Sequence, residues 1–145
     1  MVDALSRAHR WLTDEGCLVD LRPADVVAHV QIGLPNGTCV EAGGLVVQAE
    51  RRFKHAAADV ALQTLLDRGV FALESERRFD FYRYADSPDE MRDYIATEWQ
   101  HSRMDAATHV RAVDILRRHP QGRVQLIERV GIRKLRPGAR GFSRA

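Results

Sequence analysis

The sequence has no glycine-rich phosphate loop: its ten glycines are scattered, Gly16, Gly33, Gly37, Gly43-Gly44 and Gly69 among them, and no G-x-G-x-x-G follows a strand. That excludes the usual backbone cradle for a dinucleotide or a nucleoside phosphate. There is no C-x-x-C and no H-x-x-x-H, and the six histidines are dispersed, so no metal site is expected. The absence of G-x-S-x-G removes the local signature of an acyl-transfer serine. Lysine is almost missing, with Lys54 and Lys134 against 20 arginines, which we read as a composition bias. The net charge is only +2. Such a balance exerts little pull on nucleic acid or on a membrane surface. No apolar run has the length of a membrane span, and no signal segment opens the chain, so a cytoplasmic protein is expected. Two cysteines, Cys17 and Cys39, suit a reducing compartment.

What is present is ordinary globular material. The chain has 145 residues, 45% of them hydrophobic, enough to bury one core. One domain is expected over residues 1–136, with a basic, disordered tail over 137–145. The opening reads as an amphipathic helix with Met1, Leu5, Ala8 and Leu12 on one face and Asp3, Arg7, Arg10 and Asp14 on the other. Gly16 is the expected helix stop, and Cys17–Leu21 a short strand closed by Arg22-Pro23. Val26–Ile32 alternates as a strand, Pro35-Asn36-Gly37 turns, and Thr38–Ala42 returns. A helix is expected over Arg52–Arg68, with Phe53, Ala57, Val60, Ala61 and Leu65 inward and Gly69 as its stop. Leu73–Tyr84 reads as a long strand. Ser87-Pro88-Asp89-Glu90 is a strong helix start, leading to a helix that ends near Gln100. A further helix over Met104–His119 and a strand over Val124–Leu135, with Val124, Leu126, Val130 and Ile132 on one face, complete the order.

The stretch Ala4-Leu-Ser-Arg-Ala-His-Arg-Trp-Leu-Thr-Asp-Glu-Gly-Cys-Leu-Val-Asp-Leu-Arg-Pro23 resembles the helix, glycine turn and fifth strand of class I S-adenosylmethionine-dependent methyltransferases. The resemblance covers roughly residues 2–136. It implies an α/β, partial Rossmann-like methyltransferase fold, with a mixed, mostly antiparallel sheet and helices packed on it. Leu73–Tyr84 and Val124–Leu135 would be that family's final antiparallel pair, separated by family-specific insertions. The family holds its cofactor on a glycine loop and an acidic residue ending its second strand, and this chain contains a counterpart of neither. The implied protein is therefore methyltransferase-like and catalytically incomplete. It binds no cofactor alone, and takes S-adenosylmethionine only if a complementary half is supplied. The alternative is a non-catalytic homodimeric module that binds a small ligand or a partner. A third reading is an autonomous small enzyme with a new pocket.

Candidate pocket residues follow from two observations. Asp20 and Arg22 end the first strand, the edge at which α/β sheets place ligands, though they could equally form a surface ion pair. Phe79, Phe81, Tyr82, Tyr84, Tyr94 and Trp99 cluster along one strand and the next helix. They could pack the core or wall an apolar pocket, with Tyr82, His101 and Arg103 as its polar points; a small molecule at the C-terminal end of Cys17–Leu21 would be lined by Arg22, His29 and the aromatic residues from Tyr82 to Trp99. After Glu128 the chain carries Arg129, Arg133, Lys134, Arg136, Arg140 and Arg144 and no acid. A nucleic-acid contact or a solvated strand face would each fit that run; without interleaved aromatics, the strand face is the expectation. Finally, Cys17–Leu21 has no lysine, proline or bulge to deter pairing; the chain's own Val26–Ile32 hairpin, a second copy or the complementary half could cover this edge, and a homodimer is the expectation.

Overall fold

Local capping chemistry sets most element ends. The computed structural model describes residues 2–25 and 27–138. In chain order the elements are α1 (Val2–Trp11), β1 (Leu18–Pro23), β2 (His29–Gly33), β3 (Cys39–Gly44), β4 (Val46–Val47), α2 (Ala49–Asp67), β5 (Phe71–Ala85), α3 (Pro88–Glu98), β6 (Ser102–Arg103), α4 (Ala106–Arg118) and β7 (Arg123–Pro137). The protein is thus α/β, with mostly antiparallel strands and helices. Ser87 caps α3: its hydroxyl accepts the Glu90 N–H at 3.1 Å, while the Glu90 carboxylate accepts the Asp86 N–H at 2.8 Å. Asp105 caps α4 by accepting the Thr108 N–H at 2.8 Å. Gly69, at φ 66°, follows α2, as its position predicts. The β2–β3 turn uses Gly37 at φ 83°, and Asn36 Oδ1 accepts the Thr38 N–H at 3.0 Å.

The chain divides into two compact units that share the long strands β5 and β7. Among the described residues the first holds 2–22, 53–78 and 131–138, and the second 23–25, 27–52 and 79–130. In the first unit β1 and β5 both pair with β7. Its core is Leu62 and Leu65 of α2, Phe71 and Leu135, with Leu5, Leu12 and Leu18 packed against them. In the second unit β7 pairs with β2, which pairs with β3, all antiparallel. A register shift after Val30 makes Ala42 an extra residue on β3 and turns it into the core. That core gathers Val30, Ile32, Val124 and Leu126 from the sheet with Met91, Ile95, Ala112 and Ile115 from α3 and α4. Each such large side chain contributes about 1.5–3 kcal/mol relative to an exposed one. A two-stranded ladder sets Val46 opposite Arg103 and Val47 opposite Ser102.

Several expected boundaries move. α1 ends at Trp11, five residues before Gly16, and Gly16 does not adopt a positive φ. A Cβ at Gly16 would lie 3.0 Å from the Thr13 carbonyl oxygen, so close approach, not a left-handed cap, is what suits glycine there. The first strand runs one residue later at its start and on to Pro23, and β2 begins only at His29, with Val26 outside the described residues. α2 buries Ala61, Leu62 and Leu65, while Phe53 and Val60, expected inside, are 75% and 67% exposed. Along β7, burial falls on Val124 and Leu126 and then on Leu135, so the even-numbered phase expected to continue through Val130 and Ile132 is lost. The tail beyond residue 138 lies outside the described residues.

Candidate functional site

In the second unit a carboxylate whose pKa is raised by burial sits beside an arginine that engages three neighbours. The first turn of α2 supplies Arg51, and β7 supplies Glu128. Arg51 Nη2 donates to Glu128 Oε1 at 3.3 Å, Nη1 donates to Ser102 Oγ at 3.1 Å, and the guanidinium lies 5.2 Å from the centre of the Trp99 ring. Both charged side chains are only 18% exposed. Burial pushes the Glu128 carboxyl above the usual carboxylate range, against the opposing pull of Arg51. Next to it, Gln48 donates its N–H to the His101 carbonyl at 3.0 Å, and His101 Nδ1 lies 3.3 Å from Gln48 Oε1. Chemically, this cluster offers a proton-accepting carboxylate of raised pKa and a cation already committed to three neighbours. It holds no nucleophile paired with a base. No group of three or more His, Cys, Asp or Glu among the described residues could hold a metal ion.

The first unit carries a charge network at the end of β1. Arg22 Nε donates to Asp20 Oδ2 at 3.0 Å. Its Nη2 lies 3.0 Å from Asp59 Oδ1 with no N–H directed at that oxygen, so this is a charge contact and not a hydrogen bond. Arg133 Nη1 reaches both Asp20 and Asp59 at 3.6 Å, and its Nε donates to Glu76 at 2.9 Å. Any anionic or cationic ligand here would have to displace a partner already in place. In the same unit the His9 ring meets Phe71 edge-on at 5.3 Å, and its buried Nε2 has no hydrogen-bond partner.

The expected pocket residues thus distribute as follows. Asp20 and Arg22 belong to the first unit and pair with each other. The other six belong to the second unit. There, Trp99 and His101 join the Arg51–Glu128 cluster, and Arg103 neighbours it on β6. His29 Nδ1 lies 2.8 Å from Glu41 on the exposed β2–β3 surface. Tyr82 stacks on Tyr84 at 6.2 Å, both exposed, and Arg123 lies over Tyr84 at 5.1 Å. Tyr94 packs against the core with Arg83 over its ring at 4.5 Å. The rings therefore do not form one wall: Tyr94 and Trp99 face the core, while Phe79, Phe81, Tyr82 and Tyr84 face solvent. A shallow concavity lined by Ala106, Ala107, Val110, Arg111 and Asp114 runs along α4 and includes none of the expected residues.

Sequence reasoning missed Arg51, Ser102 and Glu128. Their spacing gives no signal, since Arg51 lies 51 positions from Ser102 and 77 from Glu128. The basic run of β7 also has partners that its own sequence does not show. Arg129 donates to Asp80 at 3.0 Å and Lys134 to Glu74 at 2.7 Å, and Arg136 also reaches Glu74. Those two donors hold the Glu74 carboxyl below its ordinary range. Partner numbers on β5 fall as those on β7 rise, the mark of an antiparallel ladder.

No family model matches the chain, and no curated protein or solved structure matches it. No helix among the described residues is long and apolar enough to cross a membrane.

Proposed function

We propose that this chain is a methyltransferase-like protein that lacks the S-adenosylmethionine-binding half and is catalytically silent until a complementary half supplies it. The observation that carries this reading is the layout of the first unit. There a helix, α1, leads into strand β1, then helix α2, then an antiparallel pair, β5 and β7. That is the order of elements in the rear half of the class I methyltransferases that the opening residues resemble. The stretches 23–52 and 79–130, which make the second unit, lie in sequence where that family carries its insertions. The missing glycine loop and acidic partner support a chain that binds no cofactor by itself.

Among the described residues β1 pairs with β7 alone, leaving its other edge open where the family's fourth strand would lie. Val19 and Leu21 on it are 52% and 59% exposed. The complementary half, or a second copy, is the proposed occupant. The substrate side in this reading is the C-terminal end of β1, at Asp20 and Arg22. Free, exposed Cys17 and Cys39 fit a reducing, cytoplasmic setting.

A second reading, a non-catalytic homodimeric interaction module, is favoured by the outer surface of β5. Thirteen consecutive residues there are exposed, Phe79, Phe81, Tyr82 and Tyr84 among them. Transfer of a labelled methyl group from S-adenosylmethionine separates the two. The first reading expects none from this chain alone and measurable transfer once a complementary polypeptide bearing a strand-G-x-G-x-G-helix sequence is added. Transfer by the chain alone would overturn it, and no transfer with the added polypeptide would favour the module.

A further inference from the structure

β5 has a second edge. Among the described residues it pairs with β7 alone, and residues 72–84 are all exposed. A strand of 15 residues extends for roughly 50 Å, with no proline or glycine along it. Leu73, Phe79, Phe81, Tyr82 and Tyr84 are between 41% and 53% exposed on this strand. Glu74, Glu76 and Asp80 are answered by cations of β7, and Arg83 lies on Tyr94. Arg77 and Arg78 have no ion pair among the described residues. An unpaired edge of this length, aromatic and without net charge, is a template for another strand.

We propose that a second copy of this chain adds to the β5 edge, antiparallel and centred on Phe79. This deepens the homodimeric reading by assigning it to a strand other than β1. In a twofold antiparallel pair, directly opposed residues share a face, so the central residue opposes its own copy. Centring on Phe79 sets its ring against that of the second copy. Arg78 then opposes Asp80 of the second copy, and Arg77 opposes Phe81, each contact made twice. Charge rejects the neighbouring choices. Centring on Arg78 sets Glu76 against Asp80, and centring on Asp80 sets Arg77 against Arg83. Cross-strand ion pairs and aromatic contacts each add about 0.2–1 kcal/mol to such a ladder. β1 fits a copy less well: it has six residues, ends in Pro23, and the register that opposes Val19 with Leu21 sets Asp20 against Asp20.

The test uses the full chain in a Cys17→Ser, Cys39→Ser background, followed by sedimentation velocity and non-reducing electrophoresis. The background protein should be a dimer. Phe79→Cys should form a covalent dimer under mild oxidant, because opposed cross-strand residues bring their Cα atoms within disulfide reach. Val19→Cys should not. Arg78→Glu and Asp80→Arg should each weaken the dimer at least tenfold, and an equimolar mixture of the two should restore it, since each charge then meets its opposite. If Asp80→Arg misfolds through loss of its Arg129 contact, the Phe79→Cys result still decides. Cross-linking at residue 19 and not at 79 would overturn the β5 assignment while leaving a homodimer. A monomer at every concentration would overturn both.

Discussion

At the scale of single residues, Arg51 and Glu128 illustrate a partly buried pair whose partner is needed more than the pair itself. Burial penalises the Glu128 charge, and Arg51 offsets only part of that. Arg51→Met should therefore destabilise the fold by about 1–3 kcal/mol at pH 7, because the Glu128 carboxyl loses the counterion that offsets its burial. Glu128→Gln, which can still accept from Arg51, should cost much less. The sign with pH follows from the raised folded-state pKa. Glu128 favours the folded state most below its usual value of 4.5, and that contribution is lost as pH rises through the folded value. The Arg51→Met penalty should accordingly shrink between pH 7 and pH 4 in urea titrations of both variants. Asp105, held low by its hydrogen bonds from Thr108, acts with the opposite sign: it stabilises above its unfolded pKa and ceases to as pH falls through its folded value. An Arg51→Met penalty independent of pH would contradict this account of Glu128. None of this was legible in the sequence, where neither residue belongs to a motif and the two lie 77 positions apart.

At the scale of elements, what could be read was what local chemistry decides. Ser87-Pro88 marked the start of α3, Gly69 the end of α2, and Asn36-Gly37 the β2–β3 turn, because each rests on bonds made within a few residues. What could not be read was which arc of an element meets the core. α2 has two apolar arcs, and packing chose Ala61, Leu62 and Leu65 over Phe53, Ala57 and Val60. Gly43 shows a second limit. Its place in the Gly43-Gly44 pair suggested only a break in regularity. In the fold it lets β3 approach α4, and a Cβ there would fall 2.5 Å from the buried Thr108 Oγ1. Gly43 also sits at φ 154°, so Gly43→Ala should destabilise by about 1–3 kcal/mol through overpacking and backbone strain together. Thermal unfolding of that variant beside Gly37→Ala, where no atom lies within 4 Å of the added Cβ, checks this: Gly43→Ala should be the more destabilised. Gly37→Ala meets only backbone strain at φ 83°, whereas a Gly43→Ala variant as stable as the parent would contradict both the clash with Thr108 and the strain at φ 154°.

At the scale of the whole molecule, the alternation of apolar and polar residues revealed an α/β chain of mostly antiparallel strands, and the order of elements was close to the one observed. The division into two units was not visible, because each is assembled from separated stretches of sequence and both draw on β5 and β7. The acids of β5 that answer the arginines of β7 were equally hidden, since only strand pairing opposes residues 49 to 62 positions apart. Those pairings engage Arg129, Arg133, Lys134 and Arg136 within the chain's own sheet. The chain's proposed role rests on a rear-half layout without a cofactor cradle. Calorimetric titration of the purified chain with S-adenosylmethionine tests this most directly. The account expects no saturable heat up to millimolar cofactor, and a single site of micromolar affinity on the chain alone would contradict it.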